Sequence, residues 1–322
     1  MLFRSGNYNR IMLSSVLSGE KNIEDIVIND RQWYVDHNIV LHAGSDKAVV
    51  DINRRSKCVI AKDGTRADYD RLLIATGSKP VVPDIPGADL EGVISFRDIF
   101  DVNTMIEYSR NHKKAMVLGG GLLGLEAANG LLLRGMQVTV IHSKPVLLNR
   151  QMDQQAGEML QRELEARGLQ FKMSARAQRL IADDNGHINA VRFADGSELE
   201  CDLFITAVGI RPNLALAEKA KIYCERGIVV NDNLQSYDPR IYAVGECIQH
   251  RGKTFGLVAP LFEQAKVCAN HLSDHGTADY KTLPTATQLK VTGINLFSVG
   301  DFLGDENCEI IRFTDPALGI YK

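Results

Sequence analysis

The chain has 322 residues, enough for about two domains of roughly 150 residues each. Hydrophobic residues make up 45% and charged residues 24%, a globular balance that excludes a disordered or collagen-like chain and needs no disulfide or metal staple. Lys and Arg number 37 against 40 Asp and Glu, a net charge of −3 with the signs interspersed, so the sequence carries no nucleic-acid footprint and no polybasic membrane patch.

In chain order, Met1-Leu2-Phe3-Arg4-Ser5-Gly6 is too short for a signal peptide. Asp63-Gly64 reads as a hairpin turn, Leu72-Leu73-Ile74-Ala75 as an apolar strand, and Gly77 to Pro80 as a turn. A polar helix is predicted from about Asp98 to Arg110. The run from Ala115 to Leu133 is apolar enough to imitate a membrane helix, but three consecutive glycines and Glu126 interrupt it. It reads as a buried strand, Ala115-Met116-Val117-Leu118, running into a buried helix that stops at Gly135, with a second strand at Gln137–Ile141.

Between that strand and helix stands Gly119-Gly120-Gly121-Leu122-Leu123-Gly124, a G-x-G-x-x-G in the strand–turn–helix–strand frame that gives it meaning. Gly119 permits the tight turn, Gly121 lets the backbone approach a pyrophosphate, and Gly124 lets the helix pack on its strand. The helix N-terminus then offers free N–H groups and the positive end of its dipole to the phosphates. An NAD-selective site carries an acid about 20 residues past the glycines, on the ribose 2′-hydroxyl. Here the second strand ends in His142-Ser143-Lys144, so repulsion of a 2′-phosphate is lost. His142 is expected to donate to either a hydroxyl or a phosphate, Lys144 adds a positive charge, and NADPH should serve at least as well as NADH.

An internal repeat follows. Asp63-Gly64, Asp70, Ala75, Gly77 and Pro80 reappear as Asp195-Gly196, Asp202, Ala207, Gly209 and Pro212, every pair 132 positions apart. The chain therefore contains two related nucleotide-binding domains. By the same offset, the first copy's phosphate turn would fall upstream of Met1, and nothing in residues 1–60 reads as strand, glycine turn and helix. The chain is expected to begin inside a domain, without its first βαβ unit, and for that reason to hold that domain's dinucleotide weakly. Cys58, Cys201, Cys224, Cys247, Cys268 and Cys308 are scattered, without a C-x-x-C pair or a metal-ligand spacing, as suits structural thiols in a reducing, cytoplasmic setting.

These features together resemble the FAD-dependent pyridine nucleotide-disulfide oxidoreductases with two dinucleotide-binding domains. Ile74-Ala75-Thr76-Gly77 looks like the element that passes close to the FAD. Ile241-Tyr242-Ala243-Val244-Gly245-Glu246 looks like the second FAD signature, with Glu246 standing where an Asp is usual. Asn7-Tyr8-Asn9-Arg10-Ile11-Met12-Leu13-Ser14-Ser15, Phe255 to Pro260 and Val291 to Asp301 resemble one branch, the large subunit of siroheme-type NAD(P)H nitrite reductases. Ser15 departs from the lysine usual in related ferredoxin reductases.

The resemblance implies an α/β fold: two doubly wound, Rossmann-like dinucleotide-binding domains with parallel sheets, then a truncated α+β remnant. The expected division is 1–98 with 231–283 for FAD, 99–230 for NAD(P), and 284–322 for the start of an interface-type domain. The expected chemistry is hydride transfer from NAD(P)H to flavin, which needs no protein acid or base, so no catalytic residue and no metal ligand is named. The cofactor contacts it implies are Arg10, Ser14, Ala75, Thr76, Gly77, Gly245, Glu246 and Val258 for FAD. For NAD(P) they are Gly119, Gly121, Gly124, Glu126, His142, Lys144 and Gly209, with Glu126 near the nicotinamide. Electrons would pass to downstream domains of an assimilatory nitrite reductase or to a separate redox protein. A stand-alone rubredoxin or ferredoxin reductase, an NADH oxidase-like flavoprotein, and a non-catalytic nucleotide-binding fragment are the alternatives.

Overall fold

A computed structural model describes residues 7–274, 276–291, 293–304, 306–315 and 318–322. The opening hexapeptide and Thr292 of the 291–301 stretch lie outside the described residues. The chain forms two compact α/β units. The first takes residues 7–11, Ile23–Lys79 and Gly209–Thr285, and the second Met12–Asn22, Pro80–Val208 and Ala286–Lys322.

The second unit is built on a five-stranded, wholly parallel sheet. Its order is Gln170–Lys172, Gln137–Ile141, Lys114–Leu118, Leu203–Thr206 and Val93–Ser95. The central strands bury Val117, Val140 and Ile205 completely, the continuous apolar run that a sheet covered on both faces requires. Residues 115–133 are the expected strand and helix, the helix spanning Leu122–Leu133, and no helix among the described residues is long and apolar enough to cross a membrane. That helix ends at Gly135, whose φ of +85° suits glycine. The polar helix, Ile99–Asn111, starts from an Asp98–Asp101 capping box.

The first unit pairs Leu72–Ile74 with Ile241–Ala243, and Ile228–Val230 with Ile248–His250, both in parallel. Its core gathers Ile74, Ile228, Ile241, Ala243 and Ile248 against Cys268 of the helix Ala259–Leu272.

The repeat is visible bond by bond. In the first unit Ala61 donates its N–H to the Thr65 carbonyl and Gly64 to that of Ala61. In the second, Phe193 donates to Ser197 and Gly196 to Phe193, the same bonds 132 positions on. Gly64 and Gly196 have φ of +84° and +82°. Each turn closes a three-stranded antiparallel sheet: Val49–Asn53, Cys58–Ala61 and Arg66–Asp68 in one unit, and Ala177–Ala182, Ile188–Phe193 and Glu198–Glu200 in the other.

The unit boundaries differ from those expected at 98/99 and 230/231. Val93–Ser95 is an edge strand of the five-stranded sheet, which carries residues 80–98 into the second unit. Ala217, Ile222 and Ile228 are buried in the first unit's core, which carries residues 209–230 into the first. Residues 12–22 join the second unit because the helix Leu13–Ser18 buries Leu13, Val16 and Leu17. A Cβ at Gly130 would lie 2.7 Å from Leu17 Cγ, and the Arg134 guanidinium donates to the Val16 and Leu17 carbonyls. Residues 286–322 belong to the second unit as well. Their regular elements among the described residues are two short antiparallel pairs, so only the β part of the expected α+β segment is seen.

Candidate functional site

The glycine turn of the second unit gives each motif glycine a different task. Gly119 has a φ of +127°, and a Cβ there would lie 2.4 Å from the Ala207 carbonyl oxygen. A Cβ at Gly124 would lie 1.9 Å from the Gly119 oxygen, so the helix packs where only a hydrogen fits. Gly121 sits at the helix N-cap with nothing within 4 Å of its Cβ position, and no side chain caps the first turn. The start of that helix is therefore uncovered at Gly121 and uncapped by any side chain, the condition that anion binding at a helix N-terminus requires.

His142, at the end of the strand Gln137–Ile141, turns its ring onto backbone groups. Its Nδ1 accepts the Gly120 N–H at 3.1 Å and its Nε2 lies 3.1 Å from the Val146 carbonyl. Both ring nitrogens are spent on backbone, so the ring as placed has no donor for a ribose hydroxyl or phosphate. Lys144 is exposed in the loop that follows.

Glu126, on the first turns of the same helix, accepts the Lys290 N–H at 3.1 Å. Burial pushes its carboxyl up to about 7, with the Lys290 amide, the Ser14 hydroxyl and the Lys290 charge only partly opposing. Ser14 Oγ is itself buried and has no other partner. Ser14 is thus brought to Glu126 within the second unit, whereas Arg10, expected in the same flavin-side loop, belongs to the first.

In the first unit Arg10 Nη2 meets Glu246 Oε1 at 2.9 Å, and the Ser78 hydroxyl donates to Glu246 Oε2 at 2.8 Å. The Glu246 side chain is only 4% exposed, so the buried charge is compensated by both partners. Beside it Gly245 has a φ of +93° with nothing within 4 Å of its Cβ position. Its N–H donates to Gln264 Oε1 at 2.8 Å, while Gln264 Nε2 is buried without a partner. A buried amide left unpaired costs about 1–3 kcal/mol, a cost that a polar ligand atom would remove. Thr76 Oγ1 donates to the Asn213 carbonyl at 2.9 Å and Asn213 N–H to the Gly77 carbonyl at 2.9 Å. Gly77 and its repeat partner Gly209 have φ of +63° and +121°. Ala75 is exposed, and Val258 stands half-buried at the N-cap of the helix that carries Gln264.

Two of the thiols, Cys201 and Cys268, are pushed up by burial to about 12 and about 11, and no cysteine among the described residues forms a disulfide. The reactive thiolate that cysteine chemistry needs is thus disfavoured at both.

Residues 4–271 match the pyridine nucleotide-disulphide oxidoreductase family, and residues 285–322 match the rubredoxin NAD+ reductase C-terminal domain. The chain belongs to the pyridine nucleotide-disulphide oxidoreductase family. It is 48% identical, over 98% of its length, to a nitrite reductase [NAD(P)H] of Bacillus subtilis, covering 39% of that protein. It is 42% identical, again over 98%, to the assimilatory nitrate reductase electron transfer subunit of the same organism, covering 40%. The chain thus spans about two-fifths of the length of these relatives. The NADH:rubredoxin oxidoreductase structure from Clostridium acetobutylicum superposes with a TM-score of 0.78 at 28% identity, over 96% of this chain and 76% of that one. Membership in this oxidoreductase family accounts for the α/β architecture.

Sequence reasoning missed Asn213, Gln264 and the Arg10–Glu246 pair. Arg10 and Glu246 are 236 positions apart, and no local pattern announces such a partner. Gln264 had one usable signal: it is a polar residue on the buried face of a helix, close in sequence to the Val258 loop.

Proposed function

We propose that this chain is the flavin-bearing, NAD(P)H-oxidising segment of an assimilatory nitrite reductase. The glycine turn and the amides of the helix Leu122–Leu133 hold the nucleotide pyrophosphate, and the observation that carries the reading is the open face at Gly121. Lys144 is the cation available to a 2′-phosphate, and because no acid ends the strand Gln137–Ile141, NADPH is accepted at least as well as NADH. Glu126 holds the nicotinamide end through its carboxyl.

In the first unit Glu246, oriented by Arg10 and Ser78, and the unpaired Gln264 amide fit the polar part of an FAD, with Ala75, Thr76, Gly77, Gly245 and Val258 alongside. When bound, the flavin supplies the hydride acceptor and the passage from two-electron to one-electron chemistry. The protein's part is binding, alignment and exclusion of water, which is why no side chain is assigned as acid or base. The electrons then leave to a redox partner, in downstream domains or a separate protein. The reaction is placed in the cytoplasm, and neither nucleic acid nor membrane takes part.

A stand-alone rubredoxin reductase is the second reading, favoured by the family match of residues 285–322. Adding FAD to the purified chain and titrating with NADPH and NADH tests both. Bleaching of the flavin band by either nucleotide is expected, and substitution Gly121→Val should abolish it. Nucleotide affinity unmoved by that substitution would sink the site assignment. Efficient reduction of rubredoxin, with none of a siroheme domain supplied in trans, would favour the second reading.

A further inference from the structure

The middle of the glycine turn is bonded from behind by the ring of His142. Gly120 donates its N–H to His142 Nδ1 and accepts the Leu148 N–H at 3.0 Å on its carbonyl. A Cβ at Gly120 would lie 2.8 Å from His142 Cγ and 2.7 Å from Leu147 Cδ2, so the imidazole lies directly against the middle glycine. A backbone amide can only donate and a carbonyl can only accept. The contacts to Gly120 and Val146 therefore require a neutral ring with its proton on Nε2. We propose that His142 is the positioning residue of the dinucleotide turn: its neutral ring draws the Gly120 amide away from the ligand and leaves the first turn of the helix Leu122–Leu133 to receive the pyrophosphate.

This inference rests on the nucleotide reading given above and adds a device that the glycine motif itself does not contain. Protonation at Nδ1 would set two donors against each other, N–H against N–H, and release the turn. The surroundings favour the neutral form. Burial lowers the affinity of the ring for a second proton, Lys144 in the following loop acts in the same direction, and the Val146 carbonyl and Asn149 side chain oppose. On the neighbouring strand, Lys172 takes the His142 N–H on its carbonyl, and its ammonium is engaged by Asp195 at 3.3 Å. A protonated His142 would be a further cation beside Lys144 and Lys172, with its Nδ1 acceptor gone.

The test uses the whole chain and reads binding and structure together. Dissociation constants for NADPH and NADH are measured by nucleotide fluorescence between pH 8 and 5.5 for the wild type, His142→Asn and His142→Ala. Ring 15N shifts of His142 and hydrogen exchange of the Gly120 amide are followed in the same samples. Asn can present an acceptor where Nδ1 stands and does not titrate. The loss of one hydrogen bond at the turn predicts about tenfold weaker binding for His142→Ala at pH 8. The wild type should weaken progressively towards pH 5.5, with faster Gly120 exchange, while the affinity of His142→Asn stays flat across the range. A proton found on Nδ1 at pH 8, or a wild-type pH slope retained in His142→Asn, overturns the inference while leaving the nucleotide site standing. Failure of the wild type to bind either nucleotide overturns both.

Discussion

In the second unit the repeated strand Leu203–Thr206 lies inside the five-stranded parallel sheet with all four residues buried. Its counterpart in the first unit, Leu72–Ile74, pairs with one strand and leaves Leu73 43% exposed, where the equivalent Ile205 is fully buried. The turns at Asp63-Gly64 and Asp195-Gly196 nevertheless agree bond for bond. Turn chemistry is local, so a duplicated sequence copies it. Burial depends on what other strands and helices supply, and it diverges.

The largest effect should come from the strands. Ile205→Ala is expected to cost about 2–5 kcal/mol, because it leaves a cavity at a fully buried strand inside the sheet. Leu73→Ala should cost about 1 kcal/mol or less, since that side chain already touches solvent. Urea unfolding of the two variants measures the contrast directly. Equal losses would mean that Leu73 is covered as fully as Ile205, and the comparison would fail.

The buried Glu246 of the first unit and the half-buried Glu126 of the second sharpen it further. Glu246 is compensated by a guanidinium and a hydroxyl, whereas the hydrogen bond described for Glu126 comes from the Lys290 backbone amide. The folded-state value for Glu126, about 7, lies above the ordinary 4.5. Between those values the folded protein binds more protons than the unfolded chain, so this group's contribution to stability falls as pH rises from about 4.5 to about 7. Glu126→Gln should therefore stabilise the second unit above pH 7, by at most about 3 kcal/mol, and do little near pH 4.5. Glu246→Gln should instead destabilise at pH 7, because Arg10 loses its charged partner. Thermal unfolding at pH 5 and pH 8 checks both signs.

Within the glycine motif, Gly124→Ala should cost about 1–3 kcal/mol, because its Cβ would press on the Gly119 carbonyl. Gly121→Ala meets nothing and should leave stability unchanged. Circular dichroism melts of the two variants separate packing from cradle, and a destabilised Gly121→Ala would show that the N-cap face is closed.

The strand–turn–helix–strand of residues 114–141 was legible because every signal lies within about thirty residues: an apolar run, three glycines at fixed spacing, and a helix stop. The repeat was legible for the same reason. What escaped was non-local. Unit boundaries depend on which sheet accepts Val93–Ser95 and on which core accepts Ala217. The short helix Leu13–Ser18 carries Leu13, Val16 and Leu17 on one stripe, and that pattern says it buries a face without saying against what. The placement of His142 at the strand end was read correctly, but its partner is a backbone amide 22 positions earlier, which no side-chain chemistry reveals.

The smallest effect tests the shared turns. Asp63 meets Lys47 at 2.7 Å and the Thr65 N–H at 3.0 Å, and Asp195 meets Lys172 at 3.3 Å and the Ser197 N–H at 3.0 Å. The Lys47 contact, followed by the Thr65 amide and hydroxyl, holds the Asp63 carboxyl well below the usual carboxylate range. The Ser197 hydroxyl and amide, and then Lys172, bring Asp195 down to about 2. In both units the contribution is present above the ordinary carboxylate value and is lost as pH falls towards the folded value. Asp63→Asn and Asp195→Asn should each lower the melting temperature slightly at pH 7, and the difference should shrink as pH falls from the ordinary carboxylate value towards the folded one. Because these pairs face solvent, added salt should shrink the pH 7 effect. The two variants should behave alike even though the sheets around them do not. A salt-insensitive or markedly larger loss at Asp195 would show that the second unit's core, with the Lys172 ammonium 4.6 Å over the Phe193 ring, has made its turn part of the packing rather than a local device.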